Sequence, residues 1–424
     1  MSFLTPILLI LAILRTPLFV IIAASAMIGF YHEEIDLSVI SIEIYRLAEM
    51  PILLAIPLFT FAGFLLGESQ ASTRLVNITN SLLGWIPGGL AIVAIFACAM
   101  FTAFTGASGI TIIALGALLY PALQQSGYRE TFSLGLLTSS GSLGLLFAPS
   151  LPLILYGVVA QQMDLEIPVS IGQLFLAGIF PGLLMLLSLS IYSMFQPRNK
   201  GRKPDFNTQE ALKSIVAARW EIPLPVLILG GIYGGYLAIS EAAAFTALYV
   251  FIVEVFILKE ISLKKLPDIM RDSMVMVGGI MIIIGVSLAS TNYLIDAEIP
   301  TQIFEFVQAR VEDKLTFLIL LNLFLLILGM MLDIFSALVI IVPIILPIAV
   351  GYDIHPVHLG IIFLANMQLG YFTPPVGMNL FIASYRFEKP VMTLYRATIP
   401  FFLILLVCVL IITYYPPLSL ALLP

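Results

Sequence analysis

Two long hydrophobic blocks of this chain, 106–157 and 332–384, are interrupted in mid-run by glycine, serine and proline, and the interruptions recur in the same order. The first block carries Gly106-Ala107-Ser108-Gly109, Leu119-Tyr120-Pro121, Leu134-Gly135 and Ala148-Pro149-Ser150-Leu151-Pro152. The second carries Met331-Leu332-Asp333, Ile345-Leu346-Pro347, Leu359-Gly360 and Thr373-Pro374-Pro375-Val376-Gly377. Leu134-Gly135 stands as far from Pro149 as Leu359-Gly360 stands from Pro374. Hydrocarbon leaves unpaired amides without water, so irregular backbone at that depth must line a polar space or be covered by protein. Matching breaks in two halves of one chain point to a polar site at the bilayer midplane.

Composition places those blocks in a membrane. Hydrophobic residues make up 60% of the chain, charged residues 10%, and mean hydropathy is +1.09. That exceeds what a soluble core uses. A net charge of −6 gives no footprint for nucleic acid. Cys98 and Cys408 both lie in apolar runs and read as free packing residues. Segment 4–30 has no small-residue cleavage site after it, so it reads as a first membrane helix rather than a removed signal, although Arg15-Thr16-Pro17 could break it.

About 20 apolar residues cross a bilayer. Runs 4–30, 50–67, 171–195, 222–240, 241–258, 273–293 and 398–415 qualify as single spans. Block 88–121 is too long for one helix, and its 110–121 limb is short for a full crossing, which predicts a re-entrant hairpin broken at Gly106–Gly109. Block 132–160, broken from Gly144 to Pro152, reads as two half-helices that together cross once. The second half repeats the plan with a hairpin at 315–350 and a broken helix at 358–385. The fold class is thus an all-α polytopic membrane protein with an inverted repeat, two re-entrant helical hairpins and two broken helices.

Lysine and arginine stay on the cytoplasmic side. With 196–221 placed inside, the inner loops 68–87, 122–131, 196–221, 259–272 and 386–397 hold 15 of the 19 basic residues. The outer loops 31–49, 161–170, 294–314 and 351–357 hold three, Arg46, Arg310 and Lys314. Counting either hairpin as one crossing scrambles this sorting, so the bias favours both the hairpins and their opposite entry sides. Amphipathic segments 71–86 and 300–313 precede the hairpins, with Leu75, Ile78 and Leu82, or Ile303, Phe306 and Val307, on an apolar face. They read as arms along the membrane surface, with ordinary polar loops as the alternative. The resulting division is scaffold helices 1–70, first arm 71–87, first transport repeat 88–160, scaffold and connecting helices 161–299, second arm 300–314, second transport repeat 315–385 and a C-terminal scaffold helix 386–424.

Four ordered motifs give this chain a family resemblance. They are Phe104-Thr105-Gly106-Ala107-Ser108-Gly109, Ser139-Ser140-Gly141-Ser142-Leu143-Gly144, Gly230-Gly231-Ile232-Tyr233-Gly234-Gly235 followed by Ser240-Glu241-Ala242-Ala243-Ala244, and Thr373-Pro374-Pro375-Val376-Gly377-Met378-Asn379. With them the chain resembles the large membrane subunit of tripartite ATP-independent periplasmic (TRAP) transporters through nearly its whole length. The resemblance implies a sodium-driven, elevator-type importer of small organic acids in the bacterial cytoplasmic membrane. It further implies two separately encoded partners, a small four-helix membrane subunit (Q type) and a periplasmic substrate-binding protein (P type), with sodium as coupling ion and no organic cofactor.

The chemistry of the breaks agrees. A half-helix N-terminus offers free amides to a carboxylate, and a half-helix C-terminus offers carbonyls to a hard cation. Candidate sodium ligands are Gly106, Ser108, Gly109, Asp333, Asn366, Gly370, Thr373, Gly377 and Asn379. Candidate substrate contacts are Ser139, Ser140, Gly141, Ser142, Pro149, Pro374 and Pro375. Small residues also let helices pack closely, which is the competing role for an isolated serine or glycine. Asp333 precedes a long apolar run, where an ionisable group is a functional candidate by default; a structural ion pair or an outer-surface position is its alternative.

Other polar residues read more plainly. Glu241 stands at a helix start, where an acid is favourable on electrostatic grounds alone. Glu254 reads as interfacial, and His32, His355 and His358 as surface histidines without a metal set. Prolines 51, 57, 121, 343 and 347 fit kinks or hairpin ends, and Trp85 and Trp220 fit interfaces. Outer acids Glu33, Glu34, Asp36, Asp164, Glu166, Asp296, Glu298, Glu305, Glu312 and Asp313 suit either solvation or docking of a binding protein. A stand-alone sodium/carboxylate symporter of the divergent anion–sodium type shares this architecture and needs no binding protein. An intramembrane enzyme would need a paired nucleophile and base, an aspartate pair or a metal set, and Asp333 has no evident twin.

Overall fold

The computed structural model describes residues 18–163, 167–196, 207–311 and 313–423, together with Thr16. They form helices joined by turns, with no strand among the described residues. Seven of these helices are long and apolar enough to cross a membrane, or up to eight if one bent pair counts as a single span. Residues 4–15 and 17 of the expected 4–30 span, including Arg15 and Pro17 of its break, lie outside the described residues, as do Asp164, Glu166, Glu312 and the basic residues 198–203.

The first half runs α1 (Leu18–His32), α2 (Ser38–Ala48), α3 (Ala55–Glu68), the arm α4 (Ala71–Leu83), α5 (Gly89–Thr105), α6 (Ser108–Gln125), α7 (Glu130–Ser140) and α8 (Leu151–Gln161). Helix α5 stops at Gly106, whose φ of +67° is open to glycine and whose N–H closes on the Thr102 carbonyl at 2.8 Å. The interruption is shorter than expected: Ser108 and Gly109 already belong to α6. That helix is 18 residues long, and its length and composition suffice for a crossing. The expected short limb at 110–121 is therefore corrected; Pro121 lies inside the helix instead of ending it. Helix α7 continues through a tight turn at Leu143–Leu146 and meets α8 at a bend of 42°, as expected for a broken span.

A connecting region follows, with α9 (Ile171–Ala177), α10 (Ile179–Met194), α11 (Thr208–Ala217), α12 (Pro223–Tyr233), α13 (Ile239–Phe251) and the 31-residue α14 (Leu266–Asp296). The expected 222–240 span is only partly helical, because the glycines around Tyr233 end α12 there. Two helices fall where loops were expected. Helix α2 occupies the outer 31–49 segment, and α11 the inner 196–221 segment, where Asn207 caps it by accepting from the Gln209 and Glu210 amides.

The second half comprises the arm α15 (Ile299–Gln308), α16 (Lys314–Met331), α17 (Ile334–Gly351), α18 (Pro356–Gly370), α19 (Met378–Phe387), α20 (Val391–Tyr414) and the short α21 (Pro417–Leu420). Helices α16 and α17 join at Leu332–Asp333 but splay apart: α16 lies along α18, while α17 packs on α8 and the arm α15. Between α18 and α19 the chain is non-helical over 371–377.

In each half, a glycine at the break presses against the first limb of the preceding helix pair. A Cβ on Gly144 would overlap the Ala99 carbonyl oxygen and the Ala103 nitrogen of α5. A Cβ on Gly370 would overlap the backbone of Gly329 on α16. These backbone seams are the closest helix approaches that glycine allows. One large apolar core runs through both helix pairs and both broken helices, and it also takes in α10 and α20. The helices expected as scaffold at 171–194 and 391–414 thus share a core with the repeats. A second cluster, around Leu65, Leu224, Ala247 and Val250, joins α3, α12 and α13.

Candidate functional site at the helix breaks

The breaks collect polar atoms that each helix alone would leave unpaired. At the head of α6, the Ser108 hydroxyl donates to the Asn379 side-chain oxygen at 2.7 Å. The Asn379 Nδ2 donates to the Thr138 carbonyl of α7 at 3.3 Å, and its backbone N–H to the Tyr371 carbonyl at 2.8 Å. One fully buried asparagine thus ties the first helix pair, the first broken helix and the second broken helix together. Packing follows the same line, since a Cβ on Gly109 would meet the Ile382 Cδ1 of α19 at 2.7 Å. Gly106 abuts Leu151, the first residue of α8. Four sequence candidates, Gly106, Ser108, Gly109 and Asn379, therefore converge.

Asp333 stands at the head of α17, where its Oδ1 accepts from the Phe335 and Ser336 amides, both at 3.0 Å. The Tyr371 hydroxyl accepts from the next amide, Ile334, at 2.8 Å. The Gly377 amide donates to the Met330 carbonyl at 3.0 Å, so the second break is stitched to the tip between α16 and α17. Gly377 takes a φ of +48°, and a Cβ there would meet the Thr373 carbonyl oxygen at 2.7 Å. Thr373 itself donates back to the Leu369 carbonyl at 2.6 Å. Both breaks contain a cis X-Pro peptide, Ala148–Pro149 and Pro374–Pro375.

The remaining candidates separate by partner. Ser139 and Ser140 are fully buried, and their hydroxyls bond back to α7 carbonyls one turn earlier, at 2.8 Å and 2.7 Å. The Gly141 carbonyl accepts from the Thr102 hydroxyl at 2.8 Å. Ser142 donates weakly to Ser139 O and, across to the second broken helix, to Gln368 O at 3.4 Å. Pro149 is buried, whereas Pro374 and Pro375 are exposed, with the Tyr395 hydroxyl on the Pro375 carbonyl. Asn366 has partners different from those of Asn379: its Nδ2 donates to Asn322 Oδ1 at 2.7 Å, which also accepts from Thr413 at 3.1 Å.

One reading of a single residue changes, and two further buried residues stand out. His358 is buried, not on the surface, with Nδ1 2.5 Å from the Ser419 hydroxyl and Nε2 3.3 Å from the Thr413 carbonyl. Glu254 is buried within the fold, and together with Glu221 and Glu260 it surrounds Arg74 of α4. Gln368, unremarked in the sequence, is fully buried with neither side-chain polar atom hydrogen-bonded. Other readings stand: Glu241 accepts from the Ala238 amide at the head of α13 at 2.8 Å, and Glu33, Glu34, Asp36, Glu298, Glu305 and Asp313 are exposed.

Apolar helices enclosing paired breaks lined with hydroxyl, amide and carbonyl oxygens are an arrangement that suits a membrane transporter. The chain matches the family described as tripartite ATP-independent periplasmic transporter, DctM component, over residues 5–418, and it belongs to that family. It is a transporter permease and not an enzyme. Among its relatives is the C4-dicarboxylate TRAP transporter large permease protein DctM of Pseudomonas aeruginosa, 35% identical over 385 residues, covering 90% of this chain and 88% of that protein. The isethionate TRAP transporter permease protein DctMQ of Oleidesulfovibrio alaskensis is 35% identical over 367 residues, 86% of this chain, and the chain spans 57% of that protein's length. In fold, the chain is similar to the YdaH transporter of Alcanivorax borkumensis, with a TM-score of 0.65 at 13% identity over 89% of this chain and 87% of that one.

Proposed function

We propose that this chain imports a small organic acid by sodium-coupled secondary transport in the bacterial cytoplasmic membrane, receiving it from a periplasmic binding protein and working beside a small four-helix membrane subunit. The observation that carries the reading is the Ser108–Asn379–Thr138 junction, which joins elements of both repeats at their breaks. The relatives named for C4-dicarboxylates and isethionate support an acid as the substrate class.

The donor set suits a hard alkali cation. Hydroxyl, carboxamide and backbone oxygens gather at both tips, and Asp333 contributes a carboxylate at the second. When bound, sodium would neutralise part of an arriving anion's charge. Ser108, Asn379 and Asp333 would hold it; the amides at the heads of α6, α8 and α19 would face the acid. The elevator reading takes the two repeats as the moving body and the arms α4 and α15 as its frame. The tight seams at Gly144 and Gly370 support joint movement of each broken helix with its neighbouring limb.

Proteoliposomes containing this chain and its small membrane partner test the proposal. Uptake of an acid that binds the soluble partner should require both that partner and an inward sodium gradient. Equal uptake without the binding protein would overturn the tripartite reading in favour of a stand-alone symporter. Uptake indifferent to sodium would overturn the coupling.

A further inference from the structure

Gln368 lies in the last turn of α18, immediately before the second break, and none of its surface reaches solvent. Neither Nε2 nor Oε1 has a hydrogen-bond partner. A carboxamide can donate twice and accept twice, and enclosing both ends unpaired in an apolar interior is costly. Leucine or methionine at this position would fill similar volume at no such cost. The location excludes a merely peripheral role. The Gln368 carbonyl accepts from Ser142 at the first break, and α18 packs on both α8 and the Leu143–Leu146 turn. At the head of α8, the Ser150 hydroxyl is likewise fully buried and unpaired. An unsatisfied polar side chain therefore stands beside the break in each of the two broken helices.

We infer that the Gln368 carboxamide is a substrate contact that selects acids carrying a hydroxyl or amino group beside the acid group; the inference rests on the transport reading above. The chemistry follows from the two ends of the amide. Nε2 donates to an oxygen of the acid group, and Ser150 donates to another. Oε1 can only accept, so it needs a donor on the same ligand. An unsubstituted acid satisfies one end of Gln368 and leaves the other bare, whereas a hydroxy or amino acid satisfies both. A site built around such a group rejects the analogue that lacks its partner.

The test uses matched pairs of acids on the purified full-length chain with its membrane partner, in sodium buffer, reading thermal stabilisation against concentration. The pairs are malate with succinate, lactate with propionate, and isethionate with ethanesulfonate. In at least one pair the hydroxylated acid should bind roughly three- to tenfold more tightly. Gln368→Leu, and separately Gln368→Met, should bring that pair to equal affinity while leaving stabilisation by sodium alone unchanged. A wild-type chain with no hydroxyl preference in any pair overturns the substrate class. A preference that survives both substitutions overturns the contact and leaves the amide to an enclosed water. Loss of the sodium response with the preference intact makes Gln368 a cation ligand and also overturns it. Failure of the transport reading looks different: the hydroxyl preference would be present and sensitive to Gln368, yet proteoliposomes would show no sodium-driven uptake.

Discussion

Asn379 shows why an amide, rather than a hydroxyl or an acid, suits the junction of the breaks. It accepts from Ser108 and donates to Thr138 at once, so removing it strands a buried group on each side. Asn379→Ala should destabilise the chain by about 1–3 kcal/mol and cut uptake at least about tenfold; Ser108→Ala removes one bond and should do less. Thermal unfolding and proteoliposome uptake on the same preparations check both. Glycine gives the complementary case. Gly370→Ala drives a Cβ into the Gly329 backbone and should cost about 1–3 kcal/mol. Gly278→Ala, on α14 with nothing within 4 Å of the new atom, should be neutral or stabilising by up to about 1 kcal/mol. Ser108 and Asn379 could be picked out from sequence because they sit inside glycine- and proline-marked breaks. Gln368 was passed over beside Asn366, since only the fold shows that neither end of its amide finds a partner. His358 was misread for a related reason: its partners Ser419 and Thr413 are distant in sequence.

At the scale of elements, the arm α4 is fastened by one guanidinium among three carboxylates. Arg74 Nε lies 2.5 Å from Glu221, Nη2 lies 3.4 Å from Glu254, and Nη1 contacts Glu260. Arg74→Met would strand all three acids and should cost about 3–5 kcal/mol. Glu254→Gln should cost far less, because Arg74 keeps two partners. Burial pushes the Glu221 carboxyl above its usual range, and Arg74 pulls it back only in part. A raised carboxyl pKa means the folded chain holds the proton more tightly than the unfolded chain. This group's contribution is therefore most favourable at low pH and declines as pH rises through the ordinary carboxylate range to the raised value. Glu221→Gln should flatten that decline in a series of unfolding midpoints across pH 4–8, and an unchanged slope would refute the assignment. Sequence alone located the helices α4 and α15, because their apolar faces repeat at helical spacing. It missed α11 because Leu212, Ile215 and Val216, on an exposed face, follow a polar stretch that reads as a loop.

At the scale of the whole molecule, two similar halves pack their breaks together inside one apolar core. The breaks were visible in the sequence because glycine and proline stand out against apolar surroundings. The splaying of α16 from α17 was not, since it depends on α16 packing along α18 and α17 packing on α8. If sodium binds at both tips, it should raise the unfolding midpoint of the purified chain in a saturable way, and choline at equal ionic strength should not. A midpoint that responds equally to both salts would remove the cation from the site. The seams at Gly144 and Gly370 bear on how such a molecule can diversify. Where backbone meets backbone, the distance from each break to its neighbouring limb is set by the chain itself and not by any exchangeable side chain. A descendant can change what its cargo displays by altering one amide or hydroxyl. To shift a break away from its limb, it must rebuild main-chain contacts.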